Sequence, residues 1–308
     1  MSRFVEVRDG SAHLPDGLWE AMGQPRCVVA HRHRRTPQYA LWAYDTSYPR
    51  SNLRPWLRSF FGWTLPKAPV RVGGERVEVP ELSVPNGRYG VIHRRTHFLL
   101  SPVDESSQES DYWRQQENYQ EHRPAADQKD DHQAMTQRLV ESLKAIDARS
   151  YLEVGCGAGR NLVGLQREVR GAIVGGIDIH AAAIENAQAA LPGVTLEVGD
   201  LHDLSRWESR SWDVVFTSGT LMHVEHDRVE SAVREFHRIA RRAVVHYEYH
   251  GPSFPFDFRY YPRDYGELYA SLALPDTQIG YEVLDRSGYR KRLAGPFDHC
   301  VLVAQRSG

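Results

Sequence analysis

Cysteine is scarce in this chain: three residues among 308, at positions 27, 156 and 300, without the close pairs that a zinc ribbon or a secreted disulfide framework requires. A reducing, cytoplasmic setting is the expectation. Long apolar runs are also missing. None approaches the ~20 residues of a membrane-spanning helix, and the start MSRFVEVRDG lacks the apolar stretch of a secretion signal. The expected protein is soluble, with no membrane partner. Net charge is small, −2 overall, yet uneven: residues 1–100 hold 15 Lys and Arg against 8 Asp and Glu, and the remainder holds 23 against 32. A basic first third points either to an anionic partner or to docking against the acidic remainder, within one chain or across a homodimer.

Two regions follow from the residue patterns. In the first, Val70–Val72 and Arg76–Val79 alternate around Gly73–Gly74 as a hairpin should, and Asn86–Gly87 is a second turn signal before the strand-like RYGVIHRRTHFLL. A β-rich basic N-terminal domain is expected over residues 1–105, and the polar stretch SPVDESSQES marks its boundary. Beyond it, strand-like segments (YLEVG, AIVGGIDI, VTLEVGD, WDVVFTS, AVVHYEY) alternate with helical spacings such as Met135, Leu139, Leu143 and Val229, Ala232, Val233, Phe236. That alternation predicts an α/β fold over residues 106–308: a doubly wound, Rossmann-like parallel sheet with helices on both faces. Ligands of such sheets bind at the carboxyl ends of the strands.

At one such end lies YLEVGCGAGRNL. Gly155, Gly157 and Gly159 let the backbone turn sharply and approach a ligand, and the next helix aims its N-terminal amides at the same space. A dinucleotide fingerprint would want Gly or Ala where Arg160 stands, and the Glu153 carboxylate is misplaced beside a pyrophosphate but suits an ammonium group. Asp178 ends the second strand, where a carboxylate accepts from ribose hydroxyls; Asp200 ends the third, where it accepts from an exocyclic amine with Leu201 against a purine. Together these describe a nucleoside with an amino-acid tail and no phosphate, which is S-adenosylmethionine.

At these residues the sequence resembles the class I methyltransferase family over roughly residues 134–308. YLEVGCGAGRNL resembles its glycine-rich motif, GIDIH its ribose motif, EVGDLHDL its adenine motif, and WDVVFTSGTLMHV the strand and loop that close the cofactor pocket. The resemblance implies a methyltransferase in which Glu153, Gly155, Gly157 and Gly159 line the methionine end, Asp178 the ribose, Asp200 and Leu201 the adenine, and Thr217 the edge of strand four. LMHVEHD and HYEYHGPSFPFDFRYYPRDYGELY further resemble methylases associated with the biosynthesis of pseudaminic acid, a sialic-acid-like sugar. That subgroup implies a sugar-related acceptor.

Methyl transfer needs an acceptor held in line and, where the acceptor is protonated, a base. His223, directly after strand four, suits that task near neutrality. His246, Glu248 and His250 alternate on strand five and so share one face. Extended spacing of ~7 Å per two residues disfavours one shared metal ion, and Glu248 and His250 are expected to bond substrate instead. The aromatic insertion 251–269 offers Arg259 and Arg263 for an anionic acceptor and Tyr260 and Tyr261 for hydroxyl contacts, or serves only as packing. In DYWRQQENYQ, Tyr112 and Tyr119 share a helical face; family members use such a helix to cover the cofactor, which would close the pocket beside the substrate.

The expected acceptor is a small polar metabolite. The alternative is RNA or peptide recruited by the basic N-terminal domain, through Arg32, Arg34, Arg35, Arg94 and Arg95 with Trp42 or Tyr44 stacking on bases, although no recognised RNA-binding motif is present.

Overall fold

A computed structural model describes residues 4–9, 11–14, 16–22, 24, 27–32, 38–44, 68–69, 71–73, 76–79, 84–93, 98–103, 113–114, 130–250, 260–261, 263–284 and 298–307. The chain divides into two compact units, one of Met1–Ser106 with Ser253–Tyr260, the other of Ser107–Pro252 with Tyr261–Gly308.

The first unit is an antiparallel sheet of nine strands: β1 (Phe4–Arg8), β2 (Ser11–Leu14), β3 (Cys27–Arg32), β4 (Tyr39–Tyr44), β5 (Ala68–Pro69), β6 (Arg71–Gly73), β7 (Arg76–Val79), β8 (Gly87–His93) and β9 (Phe98–Pro102). They lie in the order β5-β3-β4-β9-β8-β1-β2-β7-β6. One helix, α1 (Asp16–Ala21), is described in this unit. Strand period sets its core: Val5 and Val7 point inward while Arg8 is exposed, and Leu14, Val28, Leu41, Val79, Val91 and Leu100 complete the cluster. The Gly73–Gly74 hairpin forms as expected, β6 pairing β7. The Asn86–Gly87 turn does not join β7 to β8. Instead β7 pairs β2, and RYGVIHRRTHFLL divides into β8 and β9, which pair with each other.

The second unit holds seven strands, β10 (Ser150–Val154), β11 (Ile173–Asp178), β12 (Thr195–Val198), β13 (Trp212–Ser218), β14 (Ala240–His250), β15 (Thr277–Leu284) and β16 (Asp298–Arg306), in the order β12-β11-β10-β13-β14-β16-β15. The first five are parallel and β16 runs antiparallel between β14 and β15. Its α-helices with described bounds are α2 (Asp130–Lys144), α3 (Arg160–Glu168), α4 (Ala181–Ala190), α5 (Val229–Ile239) and α6 (Tyr265–Leu272).

Alternation along the buried strands divides the core in two. Tyr151, Val214, Phe216, Val245 and Tyr247 meet Leu139 and Leu143 of α2, Leu162 and Leu165 of α3 and Ile184 of α4. Leu152, Val154, Val215 and Val244 meet Val233 and Phe236 of α5 and Tyr265 and Tyr269 of α6. The central strands are buried on both faces, which explains why β13 reads as an almost unbroken apolar run. Register then gathers the strand ends: Val154 lies opposite Ile177, and Asp178 opposite Val198. Among the described residues no helix is long and apolar enough to cross a membrane.

Candidate active site

The glycine loop folds back onto β11. The N–H groups of Gly155 and Cys156 both donate to the Ile177 carbonyl, at 2.8 and 3.1 Å. Gly155 has φ +77°, and a Cβ there would lie 2.2 Å from Thr220 Oγ1, so no other residue fits without moving the loop after β13. Gly159, at φ +79°, is the left-handed cap from which α3 begins.

Glu153, at the end of β10, is buried beside this loop. Its Oε1 accepts a 2.7 Å bond from Asn161 Nδ2, and Asn161 Oδ1 accepts 2.7 Å from Thr136 Oγ1. Its Oε2 is buried without a hydrogen-bond partner among the described residues. Burial pushes the carboxyl up to about 8, against the opposing pull of Asn161 and Arg160. Asn161 was not anticipated from the sequence. It is the second residue of α3, and its adjacency to the loop was the one signal for it in the sequence.

Asp178 binds the loop rather than standing clear of it, accepting from Gly157 N at 2.8 Å and His180 N at 2.9 Å. Asp200 accepts from His202 N at 3.0 Å, and its other oxygen lies 3.4 Å from Arg114 Nη2. Leu201 packs half-buried against the core beside it. The carboxylates thus gather at the ends of β10, β11 and β12.

His223 sits in a short 3-10 turn, Leu221–His223, immediately after β13. It is 8% exposed, with the Trp113 ring 4.3 Å away, centroid to centroid. Trp113 and Arg114 are the described part of the upstream helical stretch. Tyr112 and Tyr119 lie outside the described residues.

Strand five holds a different arrangement from the substrate-facing pair expected. Glu248 is fully buried, and its carboxylate accepts from Thr217 Oγ1 at 2.8 Å and from the N–H groups of Thr220, Leu221 and Met222 at 3.1, 3.1 and 3.3 Å. With α5 and α6 packed over that face of β14, the carboxylate's described contacts go to Thr217 and to the turn that carries His223. Burial raises its pKa while the Thr217 hydroxyl and the three amides oppose the rise. Thr217, near the end of β13, is likewise buried, its hydroxyl shared between Glu248 and His246 Nδ1 at 2.8 Å. His250 is half-buried, its Nδ1 2.6 Å from the Tyr281 hydroxyl.

Past the insertion, the Tyr261 N–H donates to the Met222 carbonyl and its hydroxyl to Glu225 Oε1 at 3.3 Å, while Arg263 donates to the carbonyls of Tyr261 and Val224. These side chains brace the turn after β13. Tyr260 groups with the first unit. Arg259 lies outside the described residues, as do Arg34, Arg35, Arg94, Arg95 and the side chains of Arg32, Trp42 and Tyr44. Helix α5 begins after Arg228 with no side-chain cap, so Asp227 does not cap it. Among the described residues no group of three or more His, Cys, Asp or Glu side chains is placed to hold a metal ion.

Residues 152–243 match the family model described as a methyltransferase domain. Magnesium protoporphyrin IX methyltransferase from Synechocystis PCC 6803 superposes with a TM-score of 0.50 at 17% identity, over 67% of this chain and 100% of that one. A SAM-dependent methyltransferase from Archaeoglobus fulgidus gives 0.44 at 16%, over 56% and 94%, and geranyl diphosphate C-methyltransferase from Streptomyces coelicolor A3(2) gives 0.46 at 14%, over 57% and 78%. No curated protein matches the chain. None of these comparisons singles out the pseudaminic-acid-associated subgroup. The family match over residues 152–243, the strand order with its antiparallel last pair and the glycine loop at the carboxyl end of β10 show a methyltransferase domain of the class I fold in the second unit.

Proposed function

We propose that this domain transfers the methyl group of S-adenosylmethionine to a small polar metabolite, such as a sugar, a nucleotide-linked sugar or a natural-product intermediate. The observation that carries the cofactor half is the second oxygen of Glu153, buried and without a partner beside a loop whose backbone only glycine fits. A buried acceptor left unsatisfied is costly, and an ammonium group would supply both the missing donor and a charge to hold the carboxylate ionised. Asp178 would receive the ribose hydroxyls while fixing the loop through Gly157, and Asp200 with Leu201 the adenine.

When bound, the sulfonium supplies an activated methyl group. The protein's task is to orient and to move a proton. One imidazole nitrogen of His223 would take up the proton that the acceptor loses on methylation. The 8% exposure of His223 beneath Trp113 favours an acceptor small enough to enter a covered site. Tyr112, Tyr119, Arg259 and Tyr260 remain candidates from the sequence for recognising it, and His250 ends β14.

The test is transfer of labelled methyl from S-adenosylmethionine into an extract of producing cells, separated into small-molecule, protein and nuclease-sensitive fractions. Label among small molecules is expected. Label confined to RNA or protein would replace this acceptor class with a macromolecular one.

A further inference from the structure

The turn that carries His223 is gripped from two sides by contacts of opposite kind. Its N–H groups, from Thr220, Leu221 and Met222, converge on the Glu248 carboxylate. Its carbonyls, on Met222 and Val224, accept from the Tyr261 N–H and the Arg263 guanidinium. Successive amides pointing into one concavity form an anion site of the sort that elsewhere receives a phosphate. Here a carboxylate of the protein itself fills it.

Behind Glu248 runs a buried hydrogen-bond chain. Thr217 Oγ1 is 2.8 Å from Glu248 Oε1 and 2.8 Å from His246 Nδ1; His246 Nε2 is 2.7 Å from the Tyr269 hydroxyl, which is 3.4 Å from His237 Nε2. Chemistry fixes its direction. An ionised carboxylate only accepts, so the Thr217 proton goes to Glu248, and Thr217 must then accept from His246 Nδ1–H. That leaves His246 Nε2 to accept from Tyr269, whose oxygen accepts from His237. Every donor in the chain points toward Glu248, and aligned dipoles in a dry interior reinforce one another.

We infer that Glu248 is the positioning residue of this active site, its negative charge holding the post-β13 turn so that His223 meets the acceptor. The inference rests on the reading of His223 as base. Charge is essential because glutamine has the same shape but turns one acceptor into a donor, which would face an amide N–H. A shift of ~1 Å in a catalytic group can cost about a hundredfold in rate.

The experiment compares Glu248→Gln, His223→Ala and the double variant in the full chain. Three quantities are measured: amide hydrogen exchange across residues 220–222, calorimetric affinity for S-adenosylmethionine, and methyl transfer into the small-molecule extract. In Glu248→Gln the three amides should exchange at least about tenfold faster and cofactor affinity should change less than about twofold, while transfer falls about tenfold or more. The double variant should be no slower than His223→Ala alone, because Glu248 acts through His223. Additive losses, or unchanged exchange, overturn the inference. If His223→Ala leaves transfer intact, the base reading fails and positioning for catalysis falls with it; the exchange data then decide the grip alone. Arg263→Lys, which shortens the opposite contact, applies the same three measurements should Glu248→Gln fail to fold.

Discussion

Glu153 and Asn161 share one 2.7 Å hydrogen bond, and it engages only one of the two carboxylate oxygens. With its pKa pushed up to about 8, Glu153 is protonated at pH 6.5 in the cofactor-free protein. An ammonium beside it would draw the proton off. Cofactor binding at pH 6.5 should therefore release close to one proton, read from calorimetric enthalpies in buffers of different ionisation heat. Glu153→Gln should abolish the release; an unchanged release in that variant would assign it elsewhere.

The same group makes stability depend on pH. Its folded pKa of about 8 lies above the ordinary value of 4.5, so the folded state binds the extra proton between them, and the contribution is lost as pH rises through 8. Glu248 is raised in the same direction. His237 and His246, lowered by burial to about 4 and about 3, act oppositely: unfolding takes up their protons below the ordinary pKa of 6.5, so their stability is lost as pH falls. Between pH 6.5 and 8 Glu153 dominates, and the cofactor-free protein should lose stability at up to about 1.4 kcal/mol per pH unit. Thermal midpoints across that range should fall for the parent and hold nearly level for Glu153→Gln.

Gly155→Ala combines a left-handed backbone with a Cβ 2.2 Å from Thr220 Oγ1. The backbone alone costs roughly 1–2 kcal/mol, and relieving the clash moves the loop. Cofactor binding should be lost while urea unfolding shows a domain still folded but weakened. Near-parental affinity would contradict the loop assignment.

Arg114 pairs with Asp200 at 3.4 Å, both side chains partly open to water, and on the proposed adenine role of Asp200 it competes with the cofactor for that carboxylate. Exposed pairs contribute about 0–1 kcal/mol, so Arg114→Ala should raise cofactor affinity by at most about fivefold. A loss of affinity would instead mean that the guanidinium contacts the cofactor.

The parallel sheet was legible because strands buried on both faces leave unbroken apolar runs between helical spacings. The glycine loop was legible because alternating glycines after an acid have few other uses. What β14 would do was not. Alternation put His246 and Glu248 on one face, but only tertiary packing puts α5 and α6 over that face and gives the Glu248 carboxylate its backbone partners. Tyr261 and Arg263 carried the composition of a substrate wall, and the Tyr261 N–H and the Arg263 guanidinium go to backbone carbonyls that no side-chain pattern announces. Trp113 was passed over for Tyr112 and Tyr119, since helical spacing favoured the tyrosines and said nothing of His223.

The chain leaves the His223 turn at Glu248 and returns to it at Tyr261 and Arg263. The turn after β13 is thereby tied at once to β14 and to the chain entering α6, so a change in either element reaches it directly.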